Sequence, residues 1–240
     1  MLLSCSCVHR HPPMPTGAVE GKMLQLSENQ IMFGYMPQGY LVKHILILKN
    51  HGRSSLTIND ITPTCECSNI FANKHEISAG DSALLTLMFN STSFFEVTSK
   101  SVIIKTNDPK RHTVQIDFVA DMDMLGNPFL LVQPDAIVFK DEELSSSKRV
   151  VLQNITSTDL RIEVNDYFSP TLKNPTIEKE YLKPGEATSM LVALKSGINA
   201  NNFSPGSITI TAIAETYTRD SCRITIPVTI TGSSDKPRFW

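Results

Sequence analysis

Ile47-Leu48-Lys49-Asn50 followed by Leu56-Thr57-Ile58 returns further along the chain as Val151-Leu152-Gln153-Asn154 followed by Leu160-Arg161-Ile162. The echo persists downstream. Ser78-Ala79-Gly80-Asp81 precedes Leu84, Leu85 and Leu87, and Lys183-Pro184-Gly185-Glu186 precedes Met190, Leu191 and Val192. Solenoid repeats have periods of roughly 20 to 50 residues. An interval of about a hundred is the size of a whole small domain, so the chain reads as two tandem copies of one fold.

Each copy reads as strands. Ile45 to Leu48, Leu56 to Ile58, Leu84 to Phe89, Val102 to Ile104 and Val114 to Phe118 are short β-branched or apolar runs separated by turn residues. Runs spaced about ten residues apart are the pattern of an antiparallel sandwich. In the last strand of each copy the apolar residues alternate, Val114, Ile116 and Phe118 in the first and Ile224, Ile226 and Val228 in the second. Alternation predicts one buried and one wet face. The expected fold class is all-β, two tandem immunoglobulin-like antiparallel β-sandwich domains. Met124-Leu125-Gly126-Asn127-Pro128 combines a Gly with a Pro that cannot extend a sheet, and the expected division is a tether at 1–21, a first domain at 22–124, a linker at 125–129 and a second domain at 130–240. So short a linker predicts domains that dock end to end with limited hinge freedom. In the second domain Ala214-Glu215-Thr216-Tyr217 contains no Gly, Pro or Asn, which predicts a longer strand there instead of a tight turn.

Composition excludes some roles. With 240 residues, 41% hydrophobic, and a net charge of -2, two ordinary cores are available. Lys and Arg are scattered, so the electrostatic footprint of a nucleic-acid binder is missing. No run reaches the roughly 18 apolar residues of a membrane span. Leu2-Leu3-Ser4-Cys5 resembles the end of a bacterial lipoprotein signal peptide, which makes Cys5 the candidate lipidation site and lipid anchor; either translation begins upstream of Met1 or the match is chance. The Pro-rich stretch Val8 to Gly17 then reads as a tether.

Thr64-Cys65-Glu66-Cys67-Ser68 and Thr106-Asn107-Asp108-Pro109, together with the strand ending in Asn50, the Leu-x-Ile strand and the turn at Gly80, resemble the bacterial domain-of-unknown-function-1573 family over roughly residues 24 to 122. That family resembles the immunoglobulin-like sandwiches of the abnormal-spindle/hydin and major-sperm-protein group. The family usually has Gly between the two cysteines, where this chain has Glu66. The resemblance implies an exported or lipid-anchored bacterial cell-envelope protein, in the periplasm or at the cell surface, and implies no reaction. The second domain keeps the sandwich pattern without the cysteine pair or the Asn-Asp-Pro turn.

Chemistry-bearing candidates are few. Cys65 and Cys67, two apart on an extended segment, point to one side and could offer two thiolates to a metal ion, with His75 and His112 the nearest nitrogen donors in sequence. Two alternatives stand beside this: a reducible disulfide, or two small residues packing a loop. Cys222 alternates in register with Ile224 and belongs to the second core, and His44 is expected to be a hydrogen-bonded residue at a core edge. No nucleophile sits beside a partner, and no motif calls for a cofactor. Phe94 and Phe95, with the tail Pro237-Arg238-Phe239-Trp240, are aromatic residues of the kind enriched at interfaces. The expected function is a non-catalytic envelope protein presenting two domains for protein or glycan binding or structural assembly, with an unidentified protein partner. The alternatives are a metal-binding or thiol-redox protein using Cys65 and Cys67, and a periplasmic chaperone-like protein, although pilus chaperones place basic residues in the cleft between their domains and no such pair is assignable in this sequence.

Overall fold

The computed structural model describes residues 23–123, 128–199, 201–216 and 220–230. The tether with Cys5, most of the linker and the aromatic tail lie outside them. The first sandwich holds β1 (Leu24–Leu26), β2 (Gln30–Tyr35), β3 (Leu41–Asn50), β4 (Leu56–Pro63), β5 (Ser68–Ala72), β6 (Glu76–Ile77), β7 (Ser82–Asn90), β8 (Val97–Thr106) and β9 (Thr113–Asp121). The second repeats the plan with β10 (Leu130–Gln133), β11 (Ile137–Phe139), β12 (Ser147–Asn154), β13 (Leu160–Tyr167), β14 (Thr176–Ile177), β15 (Tyr181–Leu182), β16 (Ala187–Ala193), β17 (Gly206–Ala214) and β18 (Ser221–Ile230). One sheet of each sandwich has matching order, β1-β3-β7-β5 and β10-β12-β16-β14. The fold is two immunoglobulin-like sandwiches, each around its own buried apolar cluster.

The residues that announced the repeat do the same work twice. Asn50 is fully buried; its amide Nδ2 donates to the carbonyls of Ser54 and Ile77, and its Oδ1 accepts the Gly52 N–H. Asn154, also fully buried, donates to Thr158 and Leu182 and accepts from Thr156. Buried polar groups must be paired, and an Asn at this corner satisfies three backbone groups. Gly80 and Gly185, with φ of 79° and 77°, close the facing turns, and each donates its N–H to the carbonyl of the matching Asn.

Asp108 of the Asn-Asp-Pro turn guards a sheet edge. Its Oδ2 accepts the N–H groups of Met23 and Leu24, and Arg111 donates to the Leu24 carbonyl. Burial opposes ionisation of Asp108, but backbone N–H donors from Lys110, Leu24, Met23 and Arg111 outweigh it and hold the carboxyl below its usual range. The outward N–H and carbonyl of Leu24, at the start of the edge strand β1, are thereby paired and not open to strand addition.

The third sheet departs from the sequence reading. It runs β15-β13-β17-β18-β2-β9-β8-β4-β6 through both sandwiches, with β11 also pairing β18. β2 pairs in parallel with β9 of its own sandwich and with β18 of the other. The sandwiches therefore join side by side through a shared strand and not end to end. The shared strand has a bulge between Met32 and Gly34. At Gly34, φ is 68° and a Cβ would lie 2.2 Å from the Arg223 carbonyl oxygen, so only Gly lets the two backbones approach.

Burial follows from this joint. All nine residues of β17 are buried, and Thr225 of β18 is fully buried. Both faces are dry because the first sandwich covers the one that alternation marked as wet. Its hydroxyls are used in the joint: Thr225 Oγ1 donates to the Phe33 carbonyl at 2.6 Å and contacts Thr209 Oγ1, while Ser207 Oγ donates to the Lys43 carbonyl. Nor does β17 extend past Ala214. Its Ala214 N–H bonds the Asp220 carbonyl, as the Thr106 N–H bonds that of His112, so the corner is the same length in both copies.

Candidate functional site

Two places gather chemistry-bearing side chains. The first is the cleft between the sandwiches. His44 on β3 donates through both ring nitrogens when protonated, Nδ1 to Asp166 at 2.7 Å and Nε2 to Glu28 at 2.6 Å. Asp166 follows a bulge in β13, which re-aims its side chain across the joint. Burial of the ring opposes protonation, but the hydrogen bonds and charges of Asp166 and Glu28 outweigh it and push the His44 pKa up to about 9. With both nitrogens engaged, His44 is the expected structural histidine and has none free to serve as a base. Arg223 donates to the Met32 carbonyl, and Lys43 bonds Ser204 and lies 5.4 Å over the Phe168 ring. Of these two cations Arg223 lines the cleft, and the contacts of both run from one sandwich to the other. The cleft volume is about 240 Å³, below the ~300 Å³ floor of small-molecule sites.

The second place is one end of the first sandwich, where three loops meet. Cys65 and Cys67, in the turn between β4 and β5, are joined by a disulfide with Cα atoms 5.2 Å apart. Both are half-buried, and Cys67 packs against the core. Thr64 exchanges backbone and side-chain hydrogen bonds with Ser101, and the Asn90 N–H donates to the Cys67 carbonyl. The β7–β8 loop begins beside them. Buried Ser91 donates to the Pro37 and Tyr40 carbonyls and fixes that loop against the β2–β3 connection. Phe94 packs on Phe89, ring centroids 5.6 Å apart, while Phe95 is 73% exposed. The pair of aromatics thus divides into one core residue and one surface residue.

The two expected nitrogen donors are elsewhere. His75 lies beside Ile58, and His112 sits in the β8–β9 loop whose Asn107 contacts Thr57, toward the start of β4 and away from its cysteine end. Among the described residues no group of three or more His, Cys, Asp or Glu is placed to hold a metal ion. Cys222 is buried in the second core, as its register predicts. No helix among the described residues is long and apolar enough to cross a membrane. Sequence reasoning missed Glu28, Asp166 and Arg223. Asp166 lies 122 residues from His44, and no local pattern encodes that meeting.

A shared strand, duplicated corners and a disulfide-closed turn define a two-domain immunoglobulin-like sandwich protein. Residues 24–121, the first sandwich, match the family model described as "Protein of unknown function (DUF1573)". Among solved structures the chain is similar to a protein of unknown function from Porphyromonas gingivalis, with 12% identity over 86% of this chain and 99% of that one and a TM-score of 0.34. It is also similar to the E. coli chaperone DraB, with 12% identity, 84% and 96% coverage and a TM-score of 0.33. An ASH/PapD-like domain of human CEP192 is similar over 50% of this chain and 92% of that domain, with 10% identity and a TM-score of 0.34. No curated protein matches the chain.

Proposed function

We propose that this is a non-catalytic protein of the bacterial cell envelope whose two units, 22–124 and 130–240, present immunoglobulin-like surfaces to a protein partner. One observation carries the reading. On the outer face of the β1-β3-β7-β5 sheet, Ile47 lies opposite Leu84 and Phe71 opposite Thr86, leaving Ile47, Leu84 and Phe71 exposed by 46%, 43% and 51%. The same positions of the second sandwich, fixed by the same pairings, hold Val151, Ser189 and Thr176. The fold is therefore built without apolar residues at two of these three places, and a clustered exposed apolar patch is a mark of an interaction surface. The disulfide supports an oxidising compartment, in keeping with the envelope location that the family resemblance implies.

A photo-crosslinking residue at position 47, introduced in the producing bacterium, tests this. The expected result is a discrete protein adduct in the envelope fraction that disappears in Phe71→Thr/Leu84→Ser, the residues of the second sandwich. No adduct, or an adduct that persists unchanged in Phe71→Thr/Leu84→Ser, overturns the proposal.

A further inference from the structure

We propose that Cys65 and Cys67 form a thiol–disulfide exchange site, cycling between disulfide and dithiol against a cysteine pair of another protein. The inference does not depend on the apolar face.

The bond makes a poor staple. A crosslink stabilises chiefly by restricting the unfolded chain, and the effect grows with the length of the closed loop. A sequence separation of 2 is near the minimum, and the bond ties together no two strands. The second sandwich supplies an internal control. Its β13–β14 connection, residues 168–175, makes the corresponding link without a cysteine, using eight residues where the first sandwich uses the four of 64–67. Reduction also leaves the turn anchored, because the bonds of Thr64 to Ser101 and of Asn90 to the Cys67 carbonyl do not involve sulfur. The pair is half-buried at the end of the sandwich, next to the loop that displays Phe95, and is not sealed in the core.

The two sulfurs have different surroundings. Cys67 packs against the core, whereas Cys65 Sγ lies 3.5 Å from the Ser68 hydroxyl. A partner thiolate attacks Cys65 Sγ and forms a mixed disulfide; the electron pair of the broken S–S bond leaves on Cys67, which takes up a proton. The partner's second thiolate then attacks its own sulfur in the mixed disulfide and expels Cys65 as a thiolate, which Ser68 stabilises by hydrogen bonding before it too is protonated. Two electrons and two protons pass to the chain, and the partner dithiol becomes a disulfide. Cys222, buried in the other sandwich, takes no part.

The test equilibrates the full chain in glutathione buffers of increasing reduced-to-oxidised ratio, with alkylation and peptide mass spectrometry of Cys65 and Cys67. The expected result is conversion from disulfide to dithiol within that range, at unchanged circular dichroism, with the midpoint moved toward more reducing buffer in Ser68→Ala. Mixed with a reduced Cys-x-x-Cys peptide, the oxidised chain transfers one disulfide, and Cys65→Ser/Cys67→Ser transfers none. A pair that stays oxidised in the most reducing buffer, that never oxidises, or whose reduction unfolds the sandwich overturns the proposal.

Discussion

His44 is where the two sandwiches meet through charge. Its ring bridges Glu28 of its own sandwich and Asp166 of the other, with Arg223 lining the same cleft. Because the folded pKa is raised to about 9, the folded state binds the proton more tightly than the unfolded chain. The stabilisation is therefore complete below pH ~6.5, the ordinary histidine value, and is lost as pH rises through about 9. The two carboxylates are about a third exposed, and screening reduces the effect to roughly 2 kcal/mol. Urea denaturation across pH 6 to 10 is expected to show this loss in the natural chain and to show it removed in His44→Gln. An unchanged alkaline slope in the variant would assign the proton to another group. The position of His44 beside a core was readable from its strand, but its partners were not, since they come from other elements.

At the scale of the element, what repeats is a strand ending in Asn and a turn closed by Gly. Removing either Asn side chain leaves three backbone groups in or beside the core without their partner. Each of Asn50→Ala and Asn154→Ala is expected to cost roughly 3 kcal/mol. Chemical denaturation checks this, and a loss below 1 kcal/mol in either would show that water or local rearrangement replaces the amide. The five long strands of the first copy were legible because β-branched or apolar runs between turn residues mark them, with alternation added in the last. β1, β2, β5 and β6 were not. β1 and β6 are two or three residues long, and β2 carries Gly34, which reads locally as a strand breaker although it is the residue that lets β2 touch both neighbours.

The whole molecule depends on that contact. Tyr35 and Ile45 belong to strands of the first sandwich yet pack into the core of the second, so the two units share apolar surface as well as a sheet. In Gly34→Ala the added Cβ meets the Arg223 carbonyl oxygen and forces β2 away from β18, which withdraws Tyr35 from the second core but leaves the rest of each core in place. Calorimetry is expected to show one cooperative transition in the natural chain and two in the variant, with a larger radius of gyration in solution scattering. A single transition at an unchanged Tm would show that the units are joined chiefly by other contacts. The side-by-side joint also explains why strands of the second copy defied alternation. β17 along its whole length, and β18 from Ile224 to Val228, are buried on both faces by a neighbour more than a hundred residues away in sequence.

The sequence by itself determined the duplication, the all-β class, the position of the cysteine pair and the membership of Cys222 in a core. Each of these follows from residue spacing or from the two-residue period of a strand. Tertiary structure alone decided how the copies join, that Thr209, Thr211 and Thr225 are dry, and that His44 meets Asp166. The same is true of the exposure of Ile47, Leu84 and Phe71 together on one outer face. Those properties depend on which surfaces come together at long range, and a local pattern records only what a residue prefers, not what finally covers it.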